Sequence, residues 1–187
     1  MNWRNIAAVI GALLVTACTN HHIDFEELPN GNAVQQWGGG SLSPSDPWVI
    51  TTQYAARGVS MFSSNGQDGV FVINDPMTDT PPNTVCPIGV PFGPSNYTGP
   101  TTIVLGQSTD DIWVSLPPSY NAVMVTAYGS SGNALRSESS SGPNSTGSTT
   151  GRRVHVEANN ITSVSIDSAT PGGRYCFDSF TWQELWY

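Results

Sequence analysis

Short apolar or alternating runs recur along the chain from Ile23 onward, and most are bounded by Gly, Pro, Asn or Asp. In residues 153–157 the two valines point one way and the polar residues the other, and residues 163–167 repeat this period of two. No convincing amphipathic helix interrupts the series. The pattern predicts about eleven strands, at residues 22–26, 48–54, 58–63, 69–73, 101–105, 111–116, 122–128, 134–137, 152–157, 161–167 and 174–182.

This many short strands predicts an all-β chain, built as a sandwich of two antiparallel sheets. A propeller or solenoid is disfavoured, because no repeat of fixed period is visible. Two long segments interrupt the strand pattern and are expected to be loops. Residues 75–100 are rich in proline, and residues 137–151 are nearly pure Ser, Gly and Thr.

The amino-acid composition supports an all-β fold and argues against one class of binding partner. The 187 residues suffice for one domain of ordinary size, and 19 Gly with 14 Pro favour turns over helices. The six basic residues are all Arg, against 14 acidic residues, which gives a net charge of −8. A nucleic-acid partner is excluded, because so few cations cannot neutralise a phosphate backbone.

The first 17 residues read as an export signal. Arg4 precedes an uncharged stretch of 12 residues, 6–17, which is too short for a helical membrane span of about 20 residues. The stretch leads into the tetrapeptide V-T-A-C ending at Cys18, which resembles the bacterial lipobox. The alternative is an ordinary secretory signal followed by an incidental cysteine.

The lipobox resemblance implies a lipoprotein in which Cys18 becomes the new N-terminus. Its acyl chains would include palmitate. Residues 18–22 would then be the lipidated Cys and a short tether, with the β-sandwich domain at 23–187. Thr19 stands where Asp would direct retention in the inner membrane, so we expect an envelope protein anchored in the outer membrane.

Two cysteines remain once Cys18 is committed to lipid. Cys86 and Cys176 form an even pair in an oxidising compartment, which predicts a disulfide. The alternative is two separate buried thiols.

Three stretches carry a resemblance to a known fold: I-D-F-E-E-L-P at 23–29, Y-A-A-R-G-V-S-M-F-S-S at 54–64 and G-R-Y-C-F-D-S-F-T-W at 173–182. Together they resemble bacterial extracellular jelly-roll domains, which are related in architecture to galactose-binding-like carbohydrate modules and, more distantly, to MAM domains. The resemblance implies a jelly roll with a glycan ligand and a structural calcium ion.

The expected calcium ligands lie on the first and last strands. Asp178 shares one strand face with Cys176 and two aromatic residues, and a buried carboxylate needs a cation or several donors. Glu26 is the natural second ligand, with Asp24 as a further candidate. The alternative is that backbone amides or an Arg satisfy Asp178.

The chain carries none of the common catalytic or phosphate-binding motifs, so no catalytic residue is assigned. His155 lies between two inward valines and is expected to face solvent. Asp110 and Asp111 beside Trp113 form the most site-like cluster, but we interpret them as a turn and the start of a strand.

The expected function is therefore a lipid-anchored extracytoplasmic module that binds glycan without catalysis. Trp37 and Trp48, each beside flexible or polar sequence, are the candidate aromatic platforms for a sugar. The alternatives are a structural or adhesive envelope protein that recognises a protein partner, and a small polysaccharide-active hydrolase, which needs only two carboxylates.

Overall fold

A computed structural model describes residues 18–39, 42–43, 45–64, 67–74, 83–88, 98–118, 121–141 and 151–185. These residues form eleven strands and one turn of 3-10 helix at Ala55–Arg57. None of their helical segments is long and apolar enough to cross a membrane. The strands are β1 (Cys18–Ile23), β2 (Val49–Ile50), β3 (Val59–Ser64), β4 (Gln67–Asp68), β5 (Val70–Asn74), β6 (Asn83–Pro87), β7 (Thr101–Leu116), β8 (Val123–Tyr128), β9 (Ala134–Ser139), β10 (Arg152–Ser168) and β11 (Ser179–Leu185).

The strands form two antiparallel sheets. The larger has eight strands in the order β1-β11-β7-β10-β8-β9, and β3, with β4 beside it, pairs with the first part of β7. The smaller sheet has the order β2-β5-β6. One cluster of buried side chains draws on both sheets, for example Ile112 and Val156 from the large sheet and Val72 and Val85 from the small one. The predicted all-β sandwich is confirmed.

Two strands are much longer than the sequence pattern suggested. The predicted pairs 101–105 and 111–116, and 152–157 and 161–167, are each one continuous strand, β7 and β10. Shifts in the pairing register between Glu157 and Ser163 absorb the irregular middle of β10. Within it, Asn160 adopts a φ of 60° and donates its N–H to Asp110 Oδ1 at 2.7 Å. Such bulges let both halves of a strand face the core.

The predicted turn at Asp110 is therefore wrong, because Asp110 lies inside β7, whereas Asp111 lies in a strand as predicted. The sequence pattern also missed β6, which lies in the segment 75–100 that was expected to be a loop. All five residues of β6 are buried from solvent. Prolines on both sides of this strand masked its short apolar core. The rest of the two predicted loops lies mostly at 75–82, 89–97 and 142–150, outside the described residues.

A disulfide joins the small sheet to the segment that leads into β11. The sulfurs of Cys86 and Cys176 are bonded, with Cα atoms 4.3 Å apart, so the predicted pairing is confirmed. The next residue, Phe177, exchanges two backbone hydrogen bonds of 2.9 Å with Val85 in β6. Asp178 then donates its N–H to Ser115 O of β7 at 2.8 Å, so this segment contacts both sheets.

The residues expected to form a tether are instead part of the large sheet. Every residue of β1 pairs with β11, from Cys18 opposite Leu185 to Ile23 opposite Phe180. Ile23 is fully buried, and the His21 ring stacks on Trp182 with centroids 5.0 Å apart. This alternation of inward and outward side chains explains why the segment forms a strand. The predicted signal at 1–17 lies outside the described residues.

Loss of the disulfide is expected to destabilise the fold strongly. The bond closes a loop of 90 residues, so the C86A/C176A double variant should lose about 4–5 kcal/mol of unfolding free energy. Urea unfolding of the double variant, compared with the oxidised and the reduced native protein, measures this loss. A double variant as stable as the oxidised protein would contradict the assigned role of the bond.

Candidate functional site

Four neighbouring strands of the large sheet bring polar side chains to its outer face. The pairing register places His22 of β1 opposite Thr181 of β11, Thr181 opposite Trp113 of β7, and Trp113 opposite His155 of β10. The residues before and after Trp113, Ile112 and Val114, are fully buried. Since side chains alternate along a strand, this row of four points away from the core.

Trp113 and His155 form a stacked pair at the centre of this face. Their ring centroids are 3.7 Å apart, and the ring planes differ by 4°. His155 Nε2 lies 2.5 Å from Asp111 Oδ1, on the diagonal position of the neighbouring strand. The carboxylate fixes the imidazole, and the imidazole covers one face of the indole. The expectation that His155 faces solvent is confirmed, since its side chain is 36% exposed.

An open cleft of about 340 Å³ lies beside Trp113, above β11 and β1. Trp113 lines the cleft, whereas His155, which stacks on one face of the indole, does not. Trp113 is 38% exposed, one of the few large apolar side chains in the described part of the chain to be so. The lining residues are Asn20, His22, Asp111, Trp113, Ser115, Arg153, Ser179, Thr181, Trp182 and Gln183.

The chemistry of the cleft is that of an aromatic surface framed by hydrogen-bonding groups. Arg153 supplies donors, Asp111 supplies acceptor oxygens, and the amides of Asn20 and Gln183 supply both. One acidic and one basic side chain are present, so the wall carries no strong net charge. Such a surface suits a neutral, hydroxyl-rich ligand with an apolar face.

The two tryptophans that the sequence favoured as platforms have different surroundings. Trp37 and Trp48 are half-buried and pack against a satellite cluster built around Phe71 and the disulfide. Trp37 meets Phe71 edge-on, with ring centroids 5.9 Å apart. Their indole nitrogens are buried, without a hydrogen-bond partner among the described residues. Both rings therefore pack against this cluster, and a role of either ring in binding a ligand stays a prediction.

The expected calcium ligands occupy the region where β1 ends. Asp24 Oδ1 accepts the backbone N–H of Glu26 at 3.2 Å, and Glu26 Oε1 accepts the backbone N–H of Asn83 at 2.8 Å. Burial raises the pKa of Glu26, partly offset by the hydrogen bond from Asn83. Phe25 between them is fully buried at a φ of 62°, and its carbonyl accepts a hydrogen bond from the Asn83 side chain.

Asp178, the third expected ligand, is buried beside the disulfide segment. In the described part of the chain, no three His, Cys, Asp or Glu side chains form a group that could hold a metal ion. The carboxylates of Asp24 and Glu26 are already engaged with backbone amides. A calcium ion would therefore need most of its oxygen ligands from the backbone, and the calcium site stays a prediction.

Part of the cleft could be predicted from the sequence. The run Ile112-Trp113-Val114 alternates, which turns Trp113 outward. What the sequence could not show is that β11 and β1 pair beside β7 and bring Thr181 and His22 to the same face. That arrangement depends on contacts between residues more than 65 positions apart.

Comparison with protein-family models, with curated proteins and with solved structures finds no match for this chain. The β-sandwich therefore rests on the strand pairing itself, and the site rests on its geometry.

Stability measurements should separate the packed tryptophans from the exposed one. We expect W37A and W48A each to lower the free energy of unfolding by about 2 kcal/mol or more, because each removes part of the satellite cluster. W113A should cost about 1 kcal/mol or less, since Trp113 is 38% exposed and its ring stacks on the half-buried His155 ring. Urea unfolding of the three variants provides the comparison, and a larger loss of stability for W113A would show that Trp113 is a packing residue.

Proposed function

We propose that this protein is a lipid-anchored extracytoplasmic module that binds glycan without catalysis, and that the cleft beside Trp113 is its binding site. The observation that carries the proposal is the exposed indole of Trp113, which stacks on His155 and lines the cleft. The resemblance to bacterial extracellular jelly-roll domains supports the same ligand class.

A sugar ring would lie against the free face of Trp113. Pyranose rings present an apolar face of C–H groups and a rim of hydroxyls, so one aromatic surface and several nearby polar groups recognise both. Asp111 and Arg153 stand in positions to contact hydroxyls at the rim. The stack on His155 holds the indole in one orientation before the ligand arrives, which lowers the entropy cost of binding.

The lining of the cleft favours binding over hydrolysis. A glycosidase uses a pair of carboxyl groups on either side of the scissile bond. Among the described residues that line the cleft, the carboxylate is supplied by Asp111, and its oxygen is already hydrogen-bonded to His155. We therefore prefer a binding module to the alternative of a polysaccharide-active hydrolase.

The membrane address is proposed from the N-terminal sequence. The V-T-A-C tetrapeptide supports acylation of Cys18, and Thr19 supports sorting to the outer membrane. The disulfide supports an oxidising compartment, because such bonds are rare where thiols are kept reduced. Mass spectrometry of the membrane fraction, with acyl chains found on Cys18, tests the anchor directly.

Glycan binding should depend on the cleft and not on the packed tryptophans. On a glycan array, we expect W113A to lose binding by tenfold or more and D111N to lose binding by a smaller factor, because the indole provides the contact area. M124A is the matched control, since Met124 is also exposed but lies on β8, away from the cleft. Native binding that W113A leaves unchanged would place the site elsewhere.

If the native protein is folded by circular dichroism but binds no glycan on the array, that result would contradict glycan binding. A search for a protein partner would then follow.

The calcium prediction is proposed separately, from the resemblance. If the ion is bound by Glu26, Asp178 and neighbouring backbone oxygens, added calcium should raise the melting temperature, because a ligand bound only by the native state stabilises it. The E26Q variant should show a smaller rise. Thermal shift in calcium and in EGTA measures both, and a melting temperature indifferent to EGTA would contradict the calcium site.

A further inference from the structure

The strand that follows the proposed lipid anchor also forms one wall of the cleft. β1 begins at Cys18, and two of its residues, Asn20 and His22, line the cleft. All six residues of β1 pair with β11, so no unpaired segment separates the anchor position from the site. The distance between lipid and cleft is therefore set by a strand of fixed length.

That distance is short. An antiparallel strand rises about 3.4 Å per residue, which puts Asn20 about 7 Å and His22 about 14 Å from Cys18 along the strand. Trp113 lies two strand spacings across from His22, which is about 10 Å at roughly 4.8 Å each. Combining the two directions places Trp113 about 17 Å from the anchored residue. The polar headgroup layer of one leaflet is itself about 5–7 Å thick.

We propose that the cleft binds a saccharide displayed on the membrane that holds the protein, namely the sugar headgroup of a glycolipid in the same leaflet. The inference rests on the proposed glycan binding and on the proposed acylation of Cys18. The anchor and β1 keep the Trp113 cleft within about 17 Å of the anchored residue, which a saccharide that projects above the headgroup layer can reach, so membrane-borne sugars meet it at a high local concentration.

The charges of the molecule favour a sugar headgroup over a charged bilayer surface. The chain has a net charge of −8, which opposes attraction to anionic lipids. The cleft itself combines the Asp111 carboxylate with the Arg153 guanidinium. The carboxylate accepts hydrogen bonds from hydroxyls and repels phosphates, so the cleft suits a sugar better than a phosphate group.

The decisive experiment moves the cleft away from the membrane without altering it. A semi-rigid spacer of about twelve prolines, inserted between Cys18 and Thr19, would lift the domain by about 37 Å at roughly 3.1 Å per residue. Native and spacer proteins, both acylated and beginning at Cys18, are reconstituted in phosphatidylcholine vesicles. The probes are lactose, maltotriose, cellotriose and chitotriose, each as free sugar and as a phosphatidylethanolamine neoglycolipid in the same vesicles.

The readout is the Kd of each free sugar on vesicles with and without the matching neoglycolipid. For the native protein, the neoglycolipid should weaken the apparent affinity for the free sugar about tenfold or more, because it already occupies the cleft. For the spacer protein, the two Kd values should agree. W113A in the native background should bind neither form of the sugar.

The results distinguish failure of the membrane-borne ligand from failure of glycan binding itself. Free-sugar binding that depends on Trp113 but is not weakened by the neoglycolipid in the native protein would overturn the membrane-borne ligand and leave glycan binding in place. Equal weakening in native and spacer proteins would also overturn it. Binding of no member of the panel would contradict glycan binding, and the inference would fall with it.

Discussion

The alternation of side chains along β7 and β10 is the constraint on which the rest of the structure depends. These strands lie at the centre of the large sheet, and the pairing of Val154 with Val114 and of His155 with Trp113 fixes which residues face the core. A slip of one residue would turn the Trp113 row inward and expose the valines. The irregular register around Asn160 lets each strand keep both of its halves packed on the core.

The edge of the sheet that completes the cleft depends on a second set of contacts. Tyr175 is fully buried, with its hydroxyl 2.6 Å from Ile166 O and 2.9 Å from Thr101 Oγ1, and burial raises its pKa above the ordinary range. The disulfide follows at Cys176, and the bridge of Phe177 to β6 comes next. Together these contacts fix where β11 starts, and hence where Thr181 meets Trp113.

Much of the architecture could be predicted from local pattern, because a strand's period of two is written in neighbouring residues. That pattern located β3, β5, β8 and β9 within about two residues. It could not join 101–105 to 111–116, since a bulged strand and a turn look alike in sequence. It also missed β6 between prolines and took the residues of β1 for a tether, because their pairing partner lies at the opposite end of the chain.

Local sequence pattern also limited how much of the candidate site could be predicted, because most of its contacts join distant segments of the chain. His155 was correctly expected to face solvent, because two adjacent valines report its orientation. The surroundings of Trp37 could not be inferred, because the ring that covers it, Phe71, belongs to a strand more than 30 positions away. Asp111 was noted beside Trp113, but its contact with His155 is diagonal between strands and exists only in the folded register.

The central claim is that a glycan binds on the free face of Trp113, and chemical-shift mapping tests it most directly. The indole N–H and backbone amide signals of the native protein would be followed while the strongest binder from the glycan array is added. We expect shifts to concentrate at Trp113, Thr181 and His22, with the indole signals of Trp37 and Trp48 unmoved. Shifts centred on Trp37 and Trp48, with Trp113 unchanged, would contradict the account.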